Sequence, residues 1–181
     1  MRQDKKAPAE STAEFLRPVL VLSAICLAAS ALLGLTNSLT APIIEAAELA
    51  EADRTRRELL PEAEEFEEIE IELEGIDSVY ADTGGEGYVI SVTGRGYKGD
   101  VPVTVGLDSE GVIVGVSADA SGETATVGSR AGEAAFTDGF KGQSGSAEVD
   151  VLTGASVSSR AVINAVNQAL AAYEEVKEGS V

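Results

Sequence analysis

Histidine is absent from the 181 residues, tryptophan is absent, and cysteine occurs once, at Cys26. A Cys-ligated iron-sulfur cluster, a structural zinc site, a His-ligated haem and a Ser-His-Asp triad all need side chains that this chain does not have. No metal site is therefore expected, and any redox work must fall to an organic cofactor. One cysteine forms no disulfide within a chain, so cysteine usage says nothing about the redox compartment. Aromatic residues make up only 4% of the chain against 44% hydrophobic residues overall. A core of Val, Ile, Leu and Ala follows, without the ring platforms on which bases stack. Positive charge is scarce as well: the formal net charge is -18. That balance repels a phosphate backbone and argues against nucleic acid as a partner.

The acidity is uneven. Residues 41–181 hold 9 basic and 28 acidic side chains, a balance of -19, whereas the first 40 residues are close to neutral. Within those 40, residues 19–39 read VLVLSAICLAASALLGLTNSL with no charge. At ~1.5 Å per residue this segment crosses a ~30 Å hydrocarbon core. A cleaved signal peptide is the competing reading, but its apolar part runs only ~7 to 15 residues. Lys5, Lys6 and Arg17 precede the segment and Arg54 is the first basic residue after it. The positive-inside rule then predicts a single-pass membrane protein with residues 1–18 in the cytoplasm and the acidic domain outside.

Beyond the span, Ile43, Ala47, Ala50 and Arg54 recur at helical spacing, which predicts a stalk helix continuing to about Leu60. In the acidic run 62–74, Phe66, Ile69, Ile71 and Leu73 partly alternate with glutamates, as in a strand with one wet face. These carboxylates form no catalytic pair and serve solubility and partner orientation. Strands are predicted at 88–93, 101–107 and 112–116, making a meander whose last turn is 108–111. A Gly-rich stretch with a short helix near 133–140 follows, then a strand at 149–152. A closing helix buries Val162, Val166, Ala169, Leu170 and Tyr173. The fold class expected is α+β: one transmembrane helix, residues 40–74 as stalk and acidic segment, and residues 75–181 as a small domain with an antiparallel sheet and packed helices.

The segment 150–159, DVLTGASVSS, concentrates the chemistry. Gly154 and Ala155 leave the backbone bare where a helix begins, and Ser156, Ser158 and Ser159 set hydroxyls beside N–H groups that have no helical acceptor. Such a terminus attracts a phosphate, although a Ser-rich helix start is equally a plain cap.

Asp150, Thr153, Gly154, Ala155 and Ser156 match the pattern Asp-x-x-Ser/Thr-Gly-Ala-Thr/Ser, which resembles the FMN-binding domains of the Rnf and Nqr electron-transport complexes. The resemblance extends upstream. Gly96-Tyr97-Lys98-Gly99 is similar to that family's Gly-Tyr-x-Gly segment, and GETATVGSR (122–130) to its Glu-Thr-Pro-Gly-Leu-Gly loop. FTDGFKG (136–142) resembles the stretch after that loop, and the single anchor with LTAPII (39–44) resembles the opening of the G subunit of Rnf complexes. The acceptor is Ser where Thr is usual, and the loop carries Ala125 and Thr126 in place of Pro and Gly.

This resemblance implies an electron-transfer subunit of an Rnf-type ion-translocating ferredoxin:NAD oxidoreductase, with FMN held on Ser156 through a phosphoester made by a flavin transferase. The subunit would be part of a redox enzyme rather than a complete one, and its partners would be the other membrane subunits. Asp150, Thr153, Gly154 and Ala155 would form the turn that the transferase reads. Glu123 and Thr124 would either line the flavin or sit on an exposed loop, and Lys141 would either stand near the reduced flavin or be a surface lysine. A free-standing surface flavoprotein and a non-redox binding module are the alternatives.

Overall fold

A computed structural model describes residues 10–71 and 73–179, so the basic pair Lys5 and Lys6 and the glutamate at 72 lie outside the described residues. The chain divides into two compact units, one ending at Ala50 and the other beginning at Glu51. Helix α1 (Glu10–Leu59) runs through the first unit. Its apolar side chains point in every direction, with Leu20, Leu27, Leu33 and Ile43 all exposed. A helix apolar all round needs a cover of protein or lipid. Among the described residues it is the one helix long and apolar enough to cross a membrane. Pro42 lies inside α1 and cannot donate a backbone hydrogen bond to the preceding turn. Around it Ser38 Oγ donates to Leu35 O at 2.9 Å and Thr40 Oγ1 to Thr36 O at 3.0 Å, which satisfies these hydroxyls within the helix without water.

The second unit is built on a five-stranded antiparallel meander in the order β1-β2-β3-β4-β5. The strands are β1 (Phe66–Glu68), β2 (Ser78–Asp82), β3 (Gly87–Arg95), β4 (Asp100–Asp108) and β5 (Ile113–Ala118). The three expected strands are the central and distal ones, each a little longer than its apolar run. Strand β2 is not foreshadowed by the sequence, because SVYAD is too short and mixed to stand out before a partner strand is supplied. The expected strand at 149–152 does not form. The outer edge of β5 is already engaged at Ile113, whose N–H donates to Gln143 O and whose carbonyl accepts from Gly142 N, both at 2.8 Å. Residues 147–152 run without regular structure, tethered where Ala147 N donates to Asn167 Oδ1 at 2.8 Å.

Period-2 alternation sorts the sheet into two faces. Ile90, Val92, Val101, Val103, Val105 and Leu107 enter the main core with Val162, Ala165, Val166, Ala169, Leu170 and Tyr173 of helix α3 (Ser156–Gly179). Val89 points the other way, into a smaller cluster with Leu60 and Ala63. On that face glycine is a steric requirement: a Cβ on Gly106 or Gly115 would lie 2.9 or 2.8 Å from the Leu59 side chain. The expected helix near 133–140 is short. Residues Gly128–Gly132 form a 3-10 turn, α2 covers Ala134–Thr137, and a second 3-10 turn covers Asp138–Phe140.

Two buried anchors fix this unit. The Asp82 carboxylate accepts backbone N–H groups from Glu64, Glu65 and Glu86 at 3.1 to 3.4 Å. Burial pushes its pKa up, but these amides, with that of Gly84, outweigh it and hold the carboxyl below its ordinary value. At the same end of the strands, where the β4–β5 turn lies beside the β2–β3 turn, Tyr173 donates from its hydroxyl to Ser109 O at 3.0 Å, and its ring meets Tyr88 edge-on at 5.4 Å. That fixes α3 with its C-terminus at the β4–β5 turn and its N-terminus toward the β3–β4 hairpin.

Candidate functional site

The first turn of α3 is shaped by a tight reversal just before it. Ala155 N donates to Leu152 O at 3.0 Å, closing a four-residue turn whose third residue, Gly154, has φ +85. A left-handed third residue is the requirement of a type II turn, which glycine meets without strain. The three serines then separate by role. Ser159 is fully buried: its Oγ accepts from Leu152 N at 3.2 Å and donates to Ala155 O at 2.9 Å, stitching the reversal to the helix. Ser158 is buried and donates to Glu123 Oε2 at 2.5 Å. Ser156 is exposed, and its hydroxyl has no partner among the described residues. The amides of Ser156, Val157 and Ser158 likewise meet no acceptor there, whereas Ser159 N already bonds Ala155 O at 2.9 Å.

Glu123 organises the site. Its carboxylate is 4% exposed, and no cation among the described residues pairs with it. Instead it accepts the backbone amides of Lys98 at 2.9 Å, Gly99 at 3.2 Å and Tyr97 at 3.2 Å, and the Ser158 hydroxyl. Three consecutive N–H groups converging on one carboxylate form an anion nest. Burial pushes the Glu123 carboxyl up, yet the Ser158 hydroxyl and the three amides together outweigh it and hold its pKa below the ordinary value. One side chain thus ties the β3–β4 hairpin, the 122–130 loop and the start of α3 together.

The surrounding glycines serve this closeness. A Cβ on Gly96 would collide with Glu123 Oε1, and one on Gly128 would sit 2.9 Å from both Glu123 Cβ and Ser158 Oγ. The loop also carries a strained residue. Thr126 has φ +63, a left-handed conformation that a β-branched side chain rarely adopts. Thr126 N donates to Ser129 Oγ at 3.1 Å and helps hold it.

These walls enclose a hollow of about 370 Å³ lined by Tyr97, Thr124, Val127, Gly128 and residues 154–158. That volume falls within the roughly 300 to 1,000 Å³ of small-molecule sites. Tyr97 is 76% exposed and Val127 and Val157 are also open to solvent, so the rim offers uncovered apolar surface beside the free hydroxyl of Ser156.

Of the residues singled out in the sequence, Thr124, Gly154, Ala155 and Ser156 line the hollow. Glu123 is neither lining nor exposed; it lies behind the wall as the clamp. Thr153 is exposed within the reversal. Asp150 is exposed beside a separate shallow hollow with Ala147, Glu148, Val149 and Ile163. Lys141 is exposed and pairs with Asp138 at 2.7 Å, outside the lining. Tyr97 and Val127 were not among the predicted site residues. Their signal was positional, Tyr97 being the one aromatic of GYKG and Val127 the bulkiest apolar side chain of GETATVG.

The family model for the FMN-binding domain matches residues 96–171, from the first glycine of the hairpin to the third quarter of α3. Among curated proteins, the chain is 30% identical over 192 residues to the G subunit of the Na(+)-translocating ferredoxin:NAD(+) oxidoreductase complex of Acetobacterium woodii, covering 88% of this chain and 91% of that relative. The matched span begins at Gly96 and takes in the clamp, the hollow and the Ser156 turn. The chain belongs to the FMN-binding domain family, in the branch formed by the G subunits of Rnf electron-transport complexes.

Proposed function

We propose that this protein is the FMN-carrying electron-transfer subunit of an Rnf-type membrane complex, with the flavin phosphate esterified to Ser156. The observation that carries the reading is the difference among the serines of the first α3 turn: Ser158 and Ser159 are committed to internal hydrogen bonds, and Ser156 alone presents an unengaged hydroxyl to a hollow of ligand size. The residues present suit the group. Unpaired amides at the helix start fit a phosphate, and Tyr97, Val127 and Val157 offer apolar surface for a flat heterocycle.

Bound FMN supplies one- and two-electron exchange. The chain's own contribution is to hold and orient it. Ser156 tethers the phosphate, so the cofactor is retained where no pool replaces it. Glu123 fixes the two loops against α3, and the hollow's apolar walls exclude water from one side of the ring. Thr124 lines the same wall with a hydroxyl. Asp150 and Thr153, exposed on the approach to the reversal, are accessible to a flavin transferase. Lys141 lies outside this arrangement.

In this reading residues 19–39 cross the membrane, residues 40–74 form the stalk and acidic segment, and residues 75–181 form the flavin domain outside the cytoplasm. The other subunits of the complex are its partners, as for the curated relative. The test is the mass of the full chain co-produced with a flavin transferase. It gains one FMN less one water, and it fluoresces on a denaturing gel. Ser156→Ala abolishes both signals; a variant that stays labelled moves the site elsewhere, and an unlabelled parent removes the covalent reading.

A further inference from the structure

A second hollow of about 460 Å³ adjoins the first, with Val157 contributing to the walls of both. Arg95 at the end of β3 and Arg160 in α3 line it, along with Thr93, Asn164 and Gln168. Two guanidinium groups in one cleft are unusual where residues 41–181 hold only 9 basic side chains against 28 acidic ones. Of the other cations, Arg54 pairs with Glu58, Arg56 with Asp53 and Lys141 with Asp138, and neither these nor Arg57, Lys98 and Arg130 line this cleft. Arg95 and Arg160 have no ion pair among the described residues. The nearest candidates do not take them. Asp100 stands opposite Arg95 in the strand register without pairing, and Asp77 accepts the Thr93 hydroxyl at 2.7 Å.

Two uncommitted guanidinium groups lining one cleft suit an oxyanion, which a guanidinium fork binds more strongly than a neutral acceptor. Arg160 is four residues after Ser156 on α3, so the two share a helix face with Cβ atoms roughly 5 to 6 Å apart. We infer that Arg95 and Arg160 form a phosphate-recognition subsite that holds the flavin's phosphate against Ser156. This rests on the proposed flavin site and adds residues that read the phosphate by charge. The subsite would act before the ester forms, positioning FMN's phosphate, and afterwards, neutralising the phosphodiester in a strongly acidic domain.

The experiment compares FMN with riboflavin, which has the same ring system and no phosphate, on the full unlabelled chain in detergent by quenching of flavin fluorescence. The inference predicts that FMN binds about tenfold or more tightly than riboflavin at low salt. In the Arg95→Gln/Arg160→Gln double variant the preference falls to within about threefold while riboflavin affinity is retained. Equal preference in parent and double variant overturns the inference, as does a parent that does not distinguish the two flavins. A second arm measures the initial rate of labelling by the transferase. The double variant is expected to label about tenfold more slowly, and Arg160→Lys, which keeps charge but not the fork, to fall between. If neither flavin binds the unlabelled chain, this arm decides, and equal labelling rates overturn the inference. Failure of the parent to label at all refutes the covalent flavin site instead.

Discussion

Replacing Glu123 tests whether one carboxylate holds the flavin site together. Its Oε1 accepts the amides of Lys98 and Gly99, and its Oε2 accepts the Tyr97 amide and the Ser158 hydroxyl. Glutamine preserves the shape and one carbonyl oxygen, so two amides keep an acceptor. Its amide nitrogen then confronts the Tyr97 N–H, donor against donor, and the charge that strengthened the remaining bonds is gone. Hydrogen bonds to charged groups contribute about 1.5 to 3 kcal/mol, and an orphaned buried donor costs about 1 to 3 kcal/mol. Glu123→Gln is therefore expected to cost about 2 kcal/mol, and Glu123→Ala, which strands three amides and the Ser158 hydroxyl, about 3 to 4 kcal/mol. The pH dependence carries the sign. A carboxyl whose folded pKa lies below its unfolded value stabilises the fold above the unfolded pKa, and that contribution is lost as pH falls through the folded pKa. Parent stability should decline on acidification below the ordinary carboxylate range of about 4 to 4.5, and Glu123→Gln should remove part of that decline, with Asp82 and Asp119, whose carboxyls are also held below their ordinary value, contributing further. Urea denaturation of the full chain in detergent, followed by tyrosine fluorescence between neutral pH and the acid limb, measures both quantities. A Gln variant as stable as the parent, with the same acid limb, refutes the clamp.

Other perturbations separate structure from chemistry. Thr126→Gly relieves a left-handed β-branched residue and should stabilise the domain by up to about 1 kcal/mol in the same denaturation assay, less the entropy that glycine adds to the unfolded chain. A destabilised variant would mean that Thr126 makes contacts outweighing its backbone strain. Asp150→Ala should slow labelling while leaving stability within about 0.5 kcal/mol, because Asp150 is exposed; unchanged labelling removes it from the transferase's recognition turn. Ser156→Ala should leave urea stability similarly unaltered, in contrast to Ser159→Ala, which opens two buried hydrogen bonds and should cost about 1 to 3 kcal/mol.

Local pattern was enough for the elements whose period is strong. The charge-free run of 19–39, the stripe of Val162, Val166, Ala169, Leu170 and Tyr173, and the apolar alternation of β3 and β4 were all legible, since each repeats one burial requirement many times. The reversal at Leu152–Ala155 was legible too, because Gly154 beside Ala155 and a serine run is a helix start whatever surrounds it. Strand β2 and the absent strand at 149–152 were not. Whether a short apolar segment pairs depends on a free sheet edge, and the edge of β5 is taken by residues 142 and 143, a competition invisible to a window of a few residues.

The sequence by itself determined that the cofactor, if any, is organic, that a long apolar helix precedes an acidic α+β domain, and that Ser156 opens the last helix. Only the tertiary structure decided which serine is free and what Glu123 does. The role of Glu123 and the engagement of Ser158 depend on hydrogen bonds spanning 24 to 35 residues, from Glu123 to the hairpin at 97–99 and to Ser158, whereas Ser159 is engaged locally. A carboxylate in a glycine-rich loop looks solvated until folding brings three amides and a hydroxyl around it, and the energy of that convergence belongs to the assembled chain.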